Sequence, residues 1–142
     1  MTERLIKEAD LKSFCRELLP TLISSNPFVL WLIGEMGAGK TTFVREYLRM
    51  CGLAEATPVV SPTYTIVNEY YLEPDWYAHL DLYRAGDEFS FDELGLHDLK
   101  SFRGFFVEWP EQAEPPEWLI PTHRLKISYQ GDQRGYEFSS LV

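Results

Sequence analysis

One stretch constrains this chain more than any other: Gly34-Glu35-Met36-Gly37-Ala38-Gly39-Lys40-Thr41. It satisfies the phosphate-binding pattern G-x-x-x-x-G-K-[ST] at every fixed position. That pattern needs a buried strand before it and a helix after it, and both are written in the sequence. Phe28-Val29-Leu30-Trp31-Leu32-Ile33 is an apolar run of strand length. Phe43, Val44, Tyr47, Leu48 and Cys51 recur at helical spacing, and Gly52 is a stop signal. The glycines let backbone N–H groups close in on a phosphate. The helix N-terminus adds partial positive charge there. In that setting Lys40 can reach the β- and γ-phosphates of a nucleotide, and the Thr41 hydroxyl can ligate Mg2+.

The rest of the chain predicts a single domain over residues 1–142. With 142 residues it is short for a P-loop protein, and 45% hydrophobic content is enough for a core. Residues 4–6 read as a short strand. Leu11, Phe14, Cys15, Leu18, Leu19 and Leu22 mark an amphipathic helix with Asp10 as its N-cap and an end or kink at Pro20. Residues 64–72 and 76–83 read as strands of a hairpin turning at Glu73-Pro74-Asp75. Residues 87–100 suggest short helices broken at Gly95. Residues 105–107 form an apolar strand that ends on Glu108 and is stopped by Pro110. Residues 125–129 and 136–138 close the chain as a hairpin around Gly131-Asp132. The expected architecture is α/β: a P-loop NTPase-like, three-layer domain with a central mixed sheet flanked by helices. The strands ending at the glycine loop and at Glu108 belong in its middle, and ligands bind at such carboxyl ends.

Hydrolysis of a nucleotide triphosphate needs a carboxylate for the metal and a group that positions water. Phe105-Phe106-Val107-Glu108 presents one carboxylate at a strand end. In the absence of the glycine loop, Glu108 would read as a surface residue. His79-Leu80-Asp81-Leu82-Tyr83-Arg84 offers another. Strand alternation puts His79, Asp81 and Tyr83 on one face. That face is either a polar wall over the phosphates or simply solvated. Asp81 reads as a holder of metal-bound water or as the base that orients the nucleophile. Arg84 reads first as a surface ion-pair partner. Ser61-Pro62-Thr63 follows the helix after the loop, where a nucleotide-sensing switch would lie; a plain proline turn is the equal alternative. Trp109 reads as core packing. The candidate nucleotide contacts are therefore Glu35, Met36, Gly37, Ala38, Gly39, Lys40, Thr41, Thr42 and Thr63, the candidate metal ligands Thr41 and Glu108, and the catalytic candidates Lys40, Asp81 and Glu108.

Charge and absences narrow the classes. The net charge of −9 repels nucleic acid phosphates, so direct, unaided RNA or DNA binding is not expected. An Asn-Lys-x-Asp stretch of the guanine-reading type is missing, which disfavours a GTPase, and no Arg-rich lid segment supports a small-molecule kinase. His79, His97 and His123 lack zinc-ligand spacing, and Cys15 and Cys51 lack redox spacing. The N-terminus has no signal-peptide architecture, and no apolar run reaches membrane-spanning length. A cytoplasmic chain with no membrane partner is the expectation. An ATPase, a kinase of a small metabolite and a non-catalytic nucleotide-gated module all stay open on these residues.

Taken in order, GEMGAGKTT at 34–42, Ser61-Pro62-Thr63-Tyr64, Val67-Asn68-Glu69-Tyr70, His79-Leu80-Asp81-Leu82-Tyr83-Arg84 and Glu108-Trp109-Pro110-Glu111 resemble the bacterial TsaE (YjeE) ATPases. The resemblance implies an ATP- and Mg2+-dependent ATPase of tRNA N6-threonylcarbamoyladenosine (t6A) biosynthesis. It would act with the TsaD–TsaB heterodimer, reach tRNA only through those partners and not itself transfer the threonylcarbamoyl group. By the same resemblance Gly37, Gly39, Lys40, Thr41 and Thr42 would hold ATP phosphates, and Thr41 and Glu108 would ligate Mg2+. Asp81 would act in catalysis or behind the metal, and Thr63 would belong to the switch. A departure is Leu11, where members often carry Thr near the adenine. The C-terminal hairpin suggests no clear ligand.

Overall fold

The computed structural model describes residues 3–87, 89–96 and 98–142. Its strands are β1 (Arg4–Ile6), β2 (Phe28–Ile33), β3 (Val67–Leu72), β4 (Asp75–Asp81), β5 (Phe102–Glu108), β6 (His123–Gln130) and β7 (Gln133–Ser140). Its α-helices are α1 (Leu11–Leu22) and α2 (Lys40–Met50). The strands form one seven-stranded mixed sheet in the order β1-β7-β6-β2-β5-β4-β3. β6, β2, β5 and β4 run parallel through the centre, and β1–β7–β6 and β3–β4 are antiparallel at the two edges. β2 is apolar throughout because both of its faces are covered, as a central parallel strand requires.

The two faces are covered differently. Phe28, Leu30 and Leu32 of β2 join Phe106, Leu125 and Ile127 in a core closed by Leu11, Phe14, Leu18 and Leu22 of α1 and by Phe43, Val44, Tyr47 and Leu48 of α2. Both long helices therefore lie on one face. On the other, Val29, Ala78, Leu80, Phe105 and Val107 pack under Leu119, Trp118, Phe91 and Leu94. Those covers come largely from one-turn 3-10 segments, Phe91–Leu94 and Glu117–Leu119. The third layer is built of short turns and connections.

Several sequence expectations shift. α1 runs past Pro20 to Leu22. Proline forfeits one helical hydrogen bond, but Pro20 faces solvent, while Leu18 and Leu22 on either side of it stay in the core. Asp10 stands at the N-cap without a side-chain capping bond. β3 begins at Val67, because residues 64–66 form a turn closed by Ile66 N–H to the Pro62 carbonyl at 2.7 Å, with Ile66 at φ 72°. β4 stops at Asp81, so Tyr83 and Arg84 lie in a turn beyond it. β5 starts earlier than expected, at Phe102; Gly104 makes room for the Phe28 ring, whose Cζ would lie 2.2 Å from a Cβ there. The closing hairpin is longer than expected, its two strands joined by the two-residue Gly131-Asp132 turn.

The cysteines are unpaired. Cys15 is fully buried, and burial pushes its thiol up to about 12, which leaves it unreactive. His123 is also fully buried. It stacks on Phe138 at 5.6 Å, and its Nδ1 lies 2.7 Å from the Thr122 hydroxyl. Burial lowers its pKa. The unfolded chain therefore takes up the proton first as pH falls. The stabilisation is complete above the ordinary histidine value of about 6.5 and is lost as pH drops through the folded value. Urea unfolding across this range should show stability falling by up to about 1.4 kcal/mol per pH unit from this group. His123→Phe should flatten that slope. His97 lies outside the described residues. Among the described residues no helix is long and apolar enough to cross a membrane.

Candidate active site

The glycine loop spans the gap between the end of β2 at Ile33 and the start of α2 at Lys40. Ala38 N–H turns back to the Glu35 carbonyl at 3.0 Å, and Phe43 N–H bonds the Gly39 carbonyl at 3.0 Å. Gly37 and Gly39 sit at φ 78° and 114°, a region that strains any residue with a side chain. Glu35 and Met36 project outward, Ala38 is buried, and Thr41 and Thr42 occupy the first turn of α2.

Lys40 folds back over the loop. Its Nζ donates to the Gly34 carbonyl at 2.6 Å and lies 3.7 Å from the centre of the Trp109 ring. Only 4% of the residue is exposed. Burial lowers its pKa, while the charges of Glu108, Asp81 and Glu111 oppose that shift. Trp109 is not core packing as expected. It takes a left-handed conformation at φ 56°, packs its ring at a tilt against Tyr83 with centroids 5.0 Å apart, and walls the site.

The two carboxylates sit side by side. Asp81 and Glu108 are paired Cα partners at the ends of β4 and β5, and Leu32 of β2 pairs with Glu108 on the other side. Both are almost fully buried. Glu108 Oε2 accepts from the Thr41 hydroxyl at 2.8 Å and lies 2.5 Å from His79 Nε2. Asp81 Oδ2 accepts from Ser61 Oγ at 2.5 Å and Thr63 Oγ1 at 3.0 Å; its Oδ1 accepts from Tyr83 N–H at 2.9 Å. The alternate-face reading of β4 holds for His79 and Asp81, but that face is enclosed and not solvated. Tyr83 reaches the site from the turn.

The residues named from sequence as metal ligands and catalytic groups thus converge: Lys40, Thr41, Asp81 and Glu108 line one cavity of about 350 Å3 with Thr63. Smaller cavities adjoin it around the loop. One of about 150 Å3 is bounded by Gly37, Gly39, Thr41, Thr42 and Glu108. Another of about 160 Å3 is bounded by Leu11, Gly37, Gly39, Thr42, Arg134 and Tyr136. Arg84 forms no ion pair with a described residue; its guanidinium lies over the Tyr64 ring at 4.5 Å at the mouth of the larger cavity. Sequence reasoning did not select Ser61 or His79 as site residues, although their motifs were visible. Nothing in the sequence pointed to Tyr129 and Arg134, which contact the loop from the C-terminal hairpin.

A central parallel strand, a glycine loop, a helix starting at the loop, and carboxylates closing the two neighbouring strands define a P-loop-like α/β domain. Within that class the chain belongs to the TsaE family: the model of that family, described as threonylcarbamoyl adenosine biosynthesis protein TsaE, matches residues 5–137. Relatives named tRNA threonylcarbamoyladenosine biosynthesis protein TsaE show the same kinship. The one from Haemophilus influenzae is 32% identical over 124 residues, 85% of this chain and 75% of its own. The one from Aquifex aeolicus is 35% identical over 116 residues, 82% of this chain and 81% of its own. The crystal structure of Bacillus subtilis YdiB aligns with a TM-score of 0.62 at 25% identity, over 99% of this chain and 86% of that one.

Proposed function

We propose that this chain is a Mg2+-dependent ATPase that serves tRNA threonylcarbamoyladenosine biosynthesis together with the TsaD–TsaB heterodimer. The observation that carries the reading is the Thr41–Glu108 contact at 2.8 Å beside the loop. Two oxygen groups that suit Mg2+ are already within one coordination sphere of each other, with Asp81 next to them. A bound Mg2+ would neutralise charge on the nucleotide's phosphates.

The chain's own residues divide the remaining work. The backbone of 37–41 holds phosphate oxygens. Lys40 exchanges the Gly34 carbonyl and the Trp109 face for the β- and γ-phosphates. Glu108 and Thr41 would hold the metal. Asp81, fixed by Ser61, Thr63 and the Tyr83 amide, orients the attacking water and links it to the switch segment at 61–63. The cavity beside Leu11, Thr42 and Tyr136 takes the nucleoside end; Leu11 there offers apolar contact and no hydroxyl. A chain of net charge −9 leaves tRNA to its partners.

Complementation of a TsaE-depleted bacterium tests the assignment. Failure of Lys40→Ala and Asp81→Ala alike is expected of a hydrolytic role. Rescue by Asp81→Ala but not by Lys40→Ala would make the chain a nucleotide-gated module. Phosphoryl transfer to a small acceptor faster than to water would make it a kinase.

A further inference from the structure

The C-terminal hairpin touches the glycine loop in a way the hydrolytic groups do not require. β6 pairs with β2 only as far as Lys126 opposite Ile33, then continues past the end of β2 alongside the loop. The Tyr129 hydroxyl donates to the Gly37 carbonyl at 2.6 Å. Arg134, opposite Tyr129 in the β6–β7 register, donates from Nε to the Ala38 carbonyl at 3.0 Å. Its guanidinium lies 4.3 Å from the Tyr129 ring centre, and its Nη1 bonds the Gln133 carbonyl at 3.1 Å. The fit is close: a Cβ on Gly34 would stand 2.5 Å from the Ile127 carbonyl, and one on Gly37 would stand 2.7 Å from the Tyr129 hydroxyl.

A trans peptide points its C=O and the following N–H in opposite directions. Holding the Ala38 carbonyl towards the hairpin therefore turns the Gly39 N–H away from it. With glycine at 37 and 39 the free loop has many conformations to lose when it closes on an anion. We propose that Tyr129 and Arg134 form a latch that presets the phosphate cradle, acting as positioning residues through the loop carbonyls. The latch rests on the reading of the loop as a phosphate site, and it adds to that reading a part for the hairpin.

Two variants separate hydrogen bond from charge. Tyr129→Phe keeps the ring under Arg134 and removes the donor; Arg134→Gln removes the cation. Calorimetric titration with MgADP should show affinity about fivefold weaker for Tyr129→Phe and at least about tenfold weaker for Arg134→Gln. Amide order parameters at 37–40 in the nucleotide-free protein should fall from about 0.85 towards about 0.6 in both, while those of β2 and β5 and the melting temperature hold. Wild-type affinity and loop order in Tyr129→Phe would overturn the latch, even with Arg134→Gln weakened, because charge alone would then account for the loss. A wild-type chain that binds MgADP no better than Lys40→Ala would instead defeat the phosphate-site reading beneath it.

Discussion

Lys40→Ala is expected to lower kcat/KM for ATP by at least about a hundredfold, the size of losing one charge-stabilising donor at a reacting centre. It should also remove most of the affinity for ADP. The argument is positional. Lys40 is the cation at the N-terminus of α2, its Nζ already lies over the loop at the Gly34 carbonyl, and among the described residues it is the one lysine or arginine bounding the cavity of about 150 Å3 between the loop and Glu108, while Arg134 and Arg84 border the adjoining ones. The variant should remain folded. Burial disfavours the charged lysine, so its removal relieves a cost as well as a contact, and the melting temperature should move by no more than about 4 °C. Calorimetry with ADP, phosphate release with ATP and a thermal scan make the comparison. Normal turnover in Lys40→Ala would remove the loop from the mechanism.

Glu108→Gln is expected to separate binding from turnover. The amide still accepts from Thr41 and can still meet His79, so the local geometry survives. What is lost is the negative charge facing the metal position. Metal-free ADP affinity should stay within about threefold, and Mg2+-dependent hydrolysis should fall by about 10^2 to 10^3. Glu108→Ala is a harsher change. The Nδ1 of His79 already has no partner among the described residues, and alanine would orphan Nε2 as well in a fully buried ring. That should cost about 1–3 kcal/mol of stability in urea unfolding. Wild-type hydrolysis by Glu108→Gln would strike Glu108 from the metal site.

How much of this was legible from sequence depends on how local each code is. β2, the loop and α2 were readable because an apolar run, glycines and a helical period each specify their own geometry over a few residues. Glu108 was readable because it ends an apolar strand. The enclosure of His79 and Asp81 was not, since period-2 alternation says which residues share a face and not what covers it. Here β5 lies beside them and the residues 61–63 close over Asp81. The start of β3 was hidden by the positive φ at Ile66, which a β-branched residue does not advertise. Pro20 misled because its side of α1 faces solvent, where the lost bond matters less. Tyr129 and Arg134 were invisible for a different reason: their role exists only because β6 joins β2 in parallel and runs past it, a fact of topology with no local signature.

The account's central claim is that this chain hydrolyses ATP at the glycine loop as a working part of a TsaD–TsaB assembly. The measurement that meets it most directly is the steady-state rate of phosphate release from MgATP by the purified chain, alone and with purified TsaD–TsaB. The prediction is slow turnover alone, because among the described residues no arginine bonds Asp81 or Glu108, and marked stimulation with the partners. Stimulation should vanish in Lys40→Ala. Equal rates with and without the pair, together with no detectable binding to it, would contradict the account.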